Sequence, residues 1–235
     1  MYSLAVHAPP NRVITGAGSA ECDASSLGEV VYLIEGDPQV RETLFTELTV
    51  GGLTVRSFRC AGEYLSSNRQ DTAACLVFDV RLPDMCGFEL QGRLADESGP
   101  PAIFISAHPD VRSGVRAIKA GAVDFLIYPM RPDALLGAIS EALTRDRIAR
   151  QRRSEIATLK GRYLRLTRRE REVFALVVRG FLNKQVADIL AISLVTVQIH
   201  RSHVTHKMGA RSFADLVCMA ITLQILEQES AQRLT

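Results

Sequence analysis

Two groups of side chains in this 235-residue chain are placed to do chemistry. In the segment Leu194–Met208, Val195, Gln198, Ile199, Ser202 and His206 recur on one side at helical spacing. Ile199 is hard to explain on a water-facing surface, but it suits contact with a thymine methyl in the DNA major groove, and Gln198 suits an adenine edge. Lys184, Arg201 and Lys207 flank that side and could hold phosphates, fixing register without reading sequence. The competing account is an ordinary helical bundle with a stray surface isoleucine. The second group is Glu35, Gly36, Asp37, Asp79, Ser106 and Tyr128, each of which follows a short apolar run. Asp79 alone could be no more than a capping aspartate at a strand end.

The elements that must position the second group read as a parallel sheet. Runs at 30–34, 53–58, 74–78, 102–106 and 123–127 are too uniformly apolar for half-exposed antiparallel strands and fit strands buried on both faces. Between them, segments of helix length lie at 39–49, 61–67, 87–94, 109–120 and 132–143. Leu44, Leu48 and Val40 share one face of the first, and Val111, Val115 and Ile118 share one face of the fourth. Five strand–helix units make a doubly wound α/β domain, in which a site lies outside the carboxyl ends of the strands.

The elements of the first group are short helices. Thr167-Arg-Arg-Glu170 is a capping box, opening a helix over 168–178 that stops at Gly180. A second helix starts near Asn183 as its N-cap and buries Val186, Ala187 and Leu190. Ser193 caps the third, whose core stripe is Leu194, Val197, Val204 and Met208. Two helices joined by the brief Ala191-Ile192 turn form a helix-turn-helix. The expected division is an extension over 1–29, an α/β domain over 30–143, a basic helical linker over 144–165, an all-α helix-turn-helix domain over 166–228 and a tail over 229–235.

Charge supports that division. The net charge of +2 conceals a first part, to Leu143, with 11 basic and 18 acidic residues, a balance of −7, and a remainder with 17 against 8, a balance of +9. A basic half invites nucleic acid as partner. No apolar run approaches the roughly 18 residues that span a bilayer, and the first ten residues do not read as a signal peptide. Five cysteines, odd in number and without a CxxC pair, argue against a disulfide framework and a zinc site and fit a reducing cytosol. Cys86, seven residues after Asp79, borders the strand-end group, where a buried inert thiol is commoner than a redox role.

Leu166-Thr-Arg-Arg-Glu-Arg-Glu-Val173, Gly180-Phe-Leu-Asn-Lys184, Ser193-Leu-Val-Thr-Val197, His200 and Lys207-Met-Gly-Ala210 together resemble the LuxR-type DNA-binding domain. The resemblance implies Gln198, Ile199 and Ser202 as base-facing positions, with Thr196, His200, Lys184 and Lys207 near the DNA backbone. It also implies a last helix, over 213–226, that serves dimer formation, although burial against its own domain explains part of its apolar face.

Val77-Phe-Asp79-Val-Arg-Leu-Pro83-Asp84-Met-Cys-Gly87 and Lys119-Ala-Gly121-Ala-Val-Asp-Phe125 are similar to the receiver domain of two-component response regulators, within the NarL/FixJ group. The resemblance implies Asp79 as phosphoacceptor toward a histidine kinase, Ser106 as the hydroxyl contacting the phosphoryl group, and Phe125 as the aromatic reporting the state. It also implies receiver pairing through 109–120, 123–127 and 132–143.

Two positions depart from the pattern. The usual acid pair after the first strand is Glu35-Gly36, so a direct Mg²⁺ ligand is lost, and Asp37 is turned away from replacing it; Glu35 and Asp79 are the ligands that remain. Tyr128, before Pro129, stands where the family places a lysine. Phosphoryl transfer depends on positive charge against the transferring oxygens. The expectation is therefore a cytoplasmic, dimeric DNA-binding regulator rather than an enzyme, with weakened Mg²⁺ binding and a receiver not switched by conventional phosphorylation. The alternatives are a phospho-activated regulator using Asp79, and an interaction module that sequesters a kinase or another regulator.

Overall fold

The computed structural model describes residues 28–69, 71–96, 99–108 and 110–223. The expected extension before residue 28, the tail and the end of the last helix lie outside the described residues. The chain divides into two compact units, the first reaching Arg150 and the second starting at Gln151.

The first unit runs β1 (Val30–Ile34), α1 (Pro38–Val50), β2 (Val55–Phe58), α2 (Ala61–Ser66), β3 (Ala74–Asp79), α3 (Gly87–Asp96), β4 (Ala102–Ser106), α4 (Val111–Lys119), β5 (Asp124–Ile127) and the start of α5 (Pro132–Leu164). All strand pairs are parallel, in the order β2-β1-β3-β4-β5. Every residue of β1 and β4 is buried, as uniformly apolar runs require when helices cover both faces. Strand alternation sorts the side chains into two cores. Tyr32, Ile34, Leu76, Phe78 and Phe104 pack with Tyr64, Leu90 and Ala117, while Leu33, Val77, Ile103 and Ile105 pack with Leu44, Leu48, Leu135 and Ile139.

Three details differ from the sequence reading. The second strand starts at Val55 rather than at residue 53. The fourth helix carries its Val111, Val115, Ile118 stripe outward, exposed at 84%, 49% and 50%, and buries Ala117 instead. The helix expected to stop at 143 continues through the arginine-rich linker as one 33-residue helix. Its extension remains attached to the first unit: buried Asp146 accepts from the Ala74 amide that opens β3, at 2.9 Å, and Arg147 and Arg150 pair with Glu29 and Asp71.

The second unit comprises the end of α5 with α6 (Arg168–Val178), α7 (Asn183–Leu190), α8 (Leu194–Met208) and α9 (Phe213–Thr222). Its core joins Val173, Phe174 and Val177 to Val186, Val197, Val204, Met208 and Leu216, with Leu159 and Tyr163 of α5 packed against it. The Thr167–Glu170 capping box forms as expected, and Ser193 caps α8 through the Thr196 amide. Gly180 and Gly209, at φ +90° and +71°, close α6 and α8 in left-handed conformations that suit glycine. Two expectations fail. Leu194 is 47% exposed rather than part of the core stripe, and stands at the first residue of α8. Asn183 lies inside α7, preceded by Leu182 as cap, and its Oδ1 accepts from Arg201 instead. No described helix is long and apolar enough to cross a membrane.

Candidate functional site

The order β2-β1-β3 reverses direction between β1 and β3, and a crevice opens there at the carboxyl ends of the strands. Glu35, Asp37, Asp79, Ser106 and Tyr128 line one cavity of about 190 Å³, together with Arg81 and His108. Five of the seven expected receiver residues therefore meet. Gly36 and Phe125 do not line it. Gly36 faces the Pro83 ring, whose Cγ would stand 2.8 Å from a Cβ added at Gly36. Phe125 stacks on Phe104, with ring centroids 6.4 Å apart.

The carboxylates of this cavity are already engaged. Asp37 caps α1, its Oδ1 accepting from the Gln39 and Val40 amides at 2.8 and 3.1 Å. Asp79 Oδ1 accepts from the Arg81 amide at 3.0 Å. Glu35 is buried and accepts from the Asp37 amide at 2.9 Å. Burial raises its carboxyl above the ordinary value; the Asp37 amide opposes this, and the Asp79 and Asp37 charges add to it. Ser106 is buried, and its Oγ accepts from the His108 amide at 3.3 Å.

A Mg²⁺ ion asks for near-octahedral oxygen donors with their charge intact. Here one acid of the usual pair is glycine and Asp37 is held as a helix cap, so the residues present do not fit that ion. No cationic side chain ends β5 either: Tyr128, half-buried, donates its amide to the Ser106 carbonyl at 2.9 Å. The one cation lining the cavity among the described residues is Arg81, whose Nη2 donates to Nδ1 of His108 at 2.6 Å. Sequence reading missed both. Their signal is position, since each lies two residues beyond a strand-end residue, Asp79 or Ser106. Cys86 does not line the cavity; it is exposed, and its thiol donates to the Val80 carbonyl.

In the second unit, Val195, Gln198, Ile199, Ser202 and His206 are all exposed on one side of α8, and Ile199 keeps 49% of its surface accessible. Lys184 is exposed and Thr196 half-buried near the start of the same helix. Arg201 is half-buried, bonded to Asn183 and placed over the Phe213 ring. Lys207 departs from the expectation of a cation available to phosphate. Its Nζ donates to both oxygens of Glu170, at 2.8 and 2.7 Å, because that buried carboxylate at the start of α6 needs a counter-charge. Burial would raise the Glu170 carboxyl, but the Lys207 hydrogen bond and the Thr167 donors outweigh it and hold it below the ordinary value. His200 is half-buried on the same flank as Lys207.

Comparison with known proteins agrees with both halves. Residues 31–140 match the family described as response regulator receiver domain, and residues 164–220 match bacterial regulatory proteins, luxR family. Nodulation protein W of Bradyrhizobium diazoefficiens is 42% identical over 88% of this chain and 92% of its own. Response regulator protein TodT of Pseudomonas putida is 41% identical over 82% and 86%. The solved structure of response regulator StyR superposes with a TM-score of 0.73 at 40% identity, over 82% of this chain and 98% of that one. The strand-end crevice and the exposed face of α8 thus lie in the two domains expected of them, and the chain belongs to the response regulators that join a receiver to a luxR-family helix-turn-helix and act as DNA-binding transcription regulators.

Proposed function

We propose that the receiver of this regulator transmits its signal without Mg²⁺-dependent phosphorylation of Asp79, and that the protein is a cytoplasmic, non-enzymatic regulator that grips DNA as a homodimer. The observation that carries the first part is the engaged cavity: Tyr128 stands at the end of β5, Asp37 is held by the amides of α1, and Glu35 is buried and bonded to the Asp37 amide. Without a metal and a lysine, the charge left to face the oxygens of a transferring phosphoryl group is that of Arg81, whose guanidinium is bonded to His108. A partner protein that reads the cavity mouth, or the dimer equilibrium itself, then sets the output. Incubation of the purified protein with a small phosphodonor and Mg²⁺ tests this. Asp79 should stay essentially unlabelled, and stoichiometric labelling would overturn the reading.

A second reading, conventional activation by a histidine kinase at Asp79, draws support from one observation: Asp79 and Ser106 share the cavity as nucleophile and hydroxyl. The same assay decides between the two.

For DNA, the exposed face of α8 supports Gln198, Ile199 and Ser202 as base readers, with Lys184, Thr196, His200 and Arg201 toward phosphates. Lys207 serves this face by holding α6 against α8. For pairing, Val111, Val115 and Ile118 on α4 and Ile127 on β5 offer exposed apolar surface, which suits the receiver face named above. Replacing Val115 and Ile118 with Glu should abolish dimers in sedimentation, and retained dimers would move the interface elsewhere. A sequestering module, by contrast, would give no sequence-specific shift in a retention assay.

A further inference from the structure

We propose that Glu170, His200 and His203 form a binding site for one divalent transition-metal ion of the zinc class, on the flank of α8 beside its exposed face. Each residue offers one ligand atom, and the three atoms lie within 4.8 Å of one another. His203 Nδ1 stands 3.6 Å from Glu170 Oε1. That separation is close to the edge of a tetrahedron, about 3.3 Å, for bonds of about 2.0–2.1 Å to zinc.

A second observation points to a ligand independently. His200 Nδ1 is buried and has no hydrogen-bond partner among the described residues. A buried imidazole nitrogen left without a partner is costly, and a metal ion accepts the lone pair that no donor meets here. The two histidines come from one helix at i and i+3, so they share a flank, and Glu170 faces them from the start of α6.

The carboxylate is already oriented as a metal ligand needs. Its Oε2 accepts from the Thr167 amide at 2.8 Å, and Lys207 donates to Oε1 at 2.8 Å and to Oε2 at 2.7 Å, so the ion displaces the Lys207 bond to Oε1 while Lys207 keeps Oε2. Two imidazoles and one carboxylate suit zinc, copper or nickel and poorly suit magnesium or calcium. Bound there, the ion ties α6 to α8 and leaves a fourth position to water. The spacing of the cysteines pointed away from zinc on thiolate grounds; this site uses none of them.

The test uses the full chain, without a polyhistidine tag, titrated with Co²⁺ as a spectroscopic probe and then with Zn²⁺ in competition. One equivalent should bind, with visible d–d absorption and no thiolate-to-cobalt charge-transfer band, and Zn²⁺ should raise the melting temperature. His203→Gln, at an exposed position, should fold normally in metal-free buffer. It should bind at least about ten-fold more weakly and lose the Zn²⁺-induced rise. His200→Gln should behave the same way. Absence of stoichiometric binding, a thiolate band, or equal binding by His203→Gln and the parent chain would each overturn the proposal.

Discussion

Among the described residues each unit buries one glutamate, and the two behave in opposite ways. Glu35, 4% exposed, faces two other carboxylates and receives backbone amides but no cation, so burial dominates and its carboxyl is raised. Glu170, 3% exposed, receives an ammonium, a backbone amide and a hydroxyl-capped turn, and its carboxyl is lowered. Burial is the same; the donors differ. The lesson is that a buried acid in this chain is a structural anchor where a cation reaches it, and that the end of β5 offers the receiver cavity a tyrosine rather than a cation.

The largest expected effect comes from giving the cavity back its charges. Gly36→Asp combined with Tyr128→Lys should raise Mg²⁺-dependent labelling of Asp79 by more than about ten-fold over the parent, read by phosphodonor assay. The Pro83 ring must yield to the new Cβ, so an unfolding curve should accompany the assay. Equal labelling of parent and variant would remove the contrast between the two units.

Next in size is Glu170→Ala, which strips a cap and leaves Lys207 without its partner. It should lower stability by about 3 kcal/mol in urea unfolding. Because the folded carboxyl is lowered, its contribution is present above the unfolded carboxylate value and is lost as pH falls through the folded one. Acid should therefore weaken the parent more than the variant.

Gln198→Ala with Ile199→Ala should relax base preference by roughly 1–3 kcal/mol in competition retention assays. Lys184→Ala should weaken all sequences about equally and reduce the salt slope by about one unit. Identical behaviour of the two would dissolve the assignment of faces on α8.

The smallest effect is Glu35→Gln, which keeps the acceptor for the Asp37 amide and removes the buried charge. A gain in stability is expected near pH 7. With the folded carboxyl raised, the parent loses stability as pH climbs from the unfolded value through the folded one. The variant's advantage should accordingly vanish in acid, where thermal unfolding of the two should coincide.

Much of this was legible in the residues. The apolar runs of β1 and β4 and the capping box at Thr167 coincide with the structure, because each is written in a contiguous stretch and obeys local rules. What the sequence hid is distant or one-sided. The box revealed what Glu170 does for its own helix, but not that Lys207, 37 residues on, completes it. Spacing put Val111, Val115 and Ile118 on one face, yet spacing does not say whether a face turns inward. Leu194 fits the period of its stripe and still lies outside, because periodicity says nothing of how far along a helix its neighbours reach. Arg81 and His108 carried no motif, only their offset from the strand ends.

The bond from the Ala74 amide to Asp146 has a practical consequence for anyone dissecting the molecule. A fragment trimmed at the end of the fifth strand–helix unit, near residue 143, would strip the acceptor from the backbone group that starts the strand leading to Asp79. Leaving such a donor unsatisfied costs about 1–3 kcal/mol. A receiver fragment intended to report native behaviour should therefore carry the helix through Arg150.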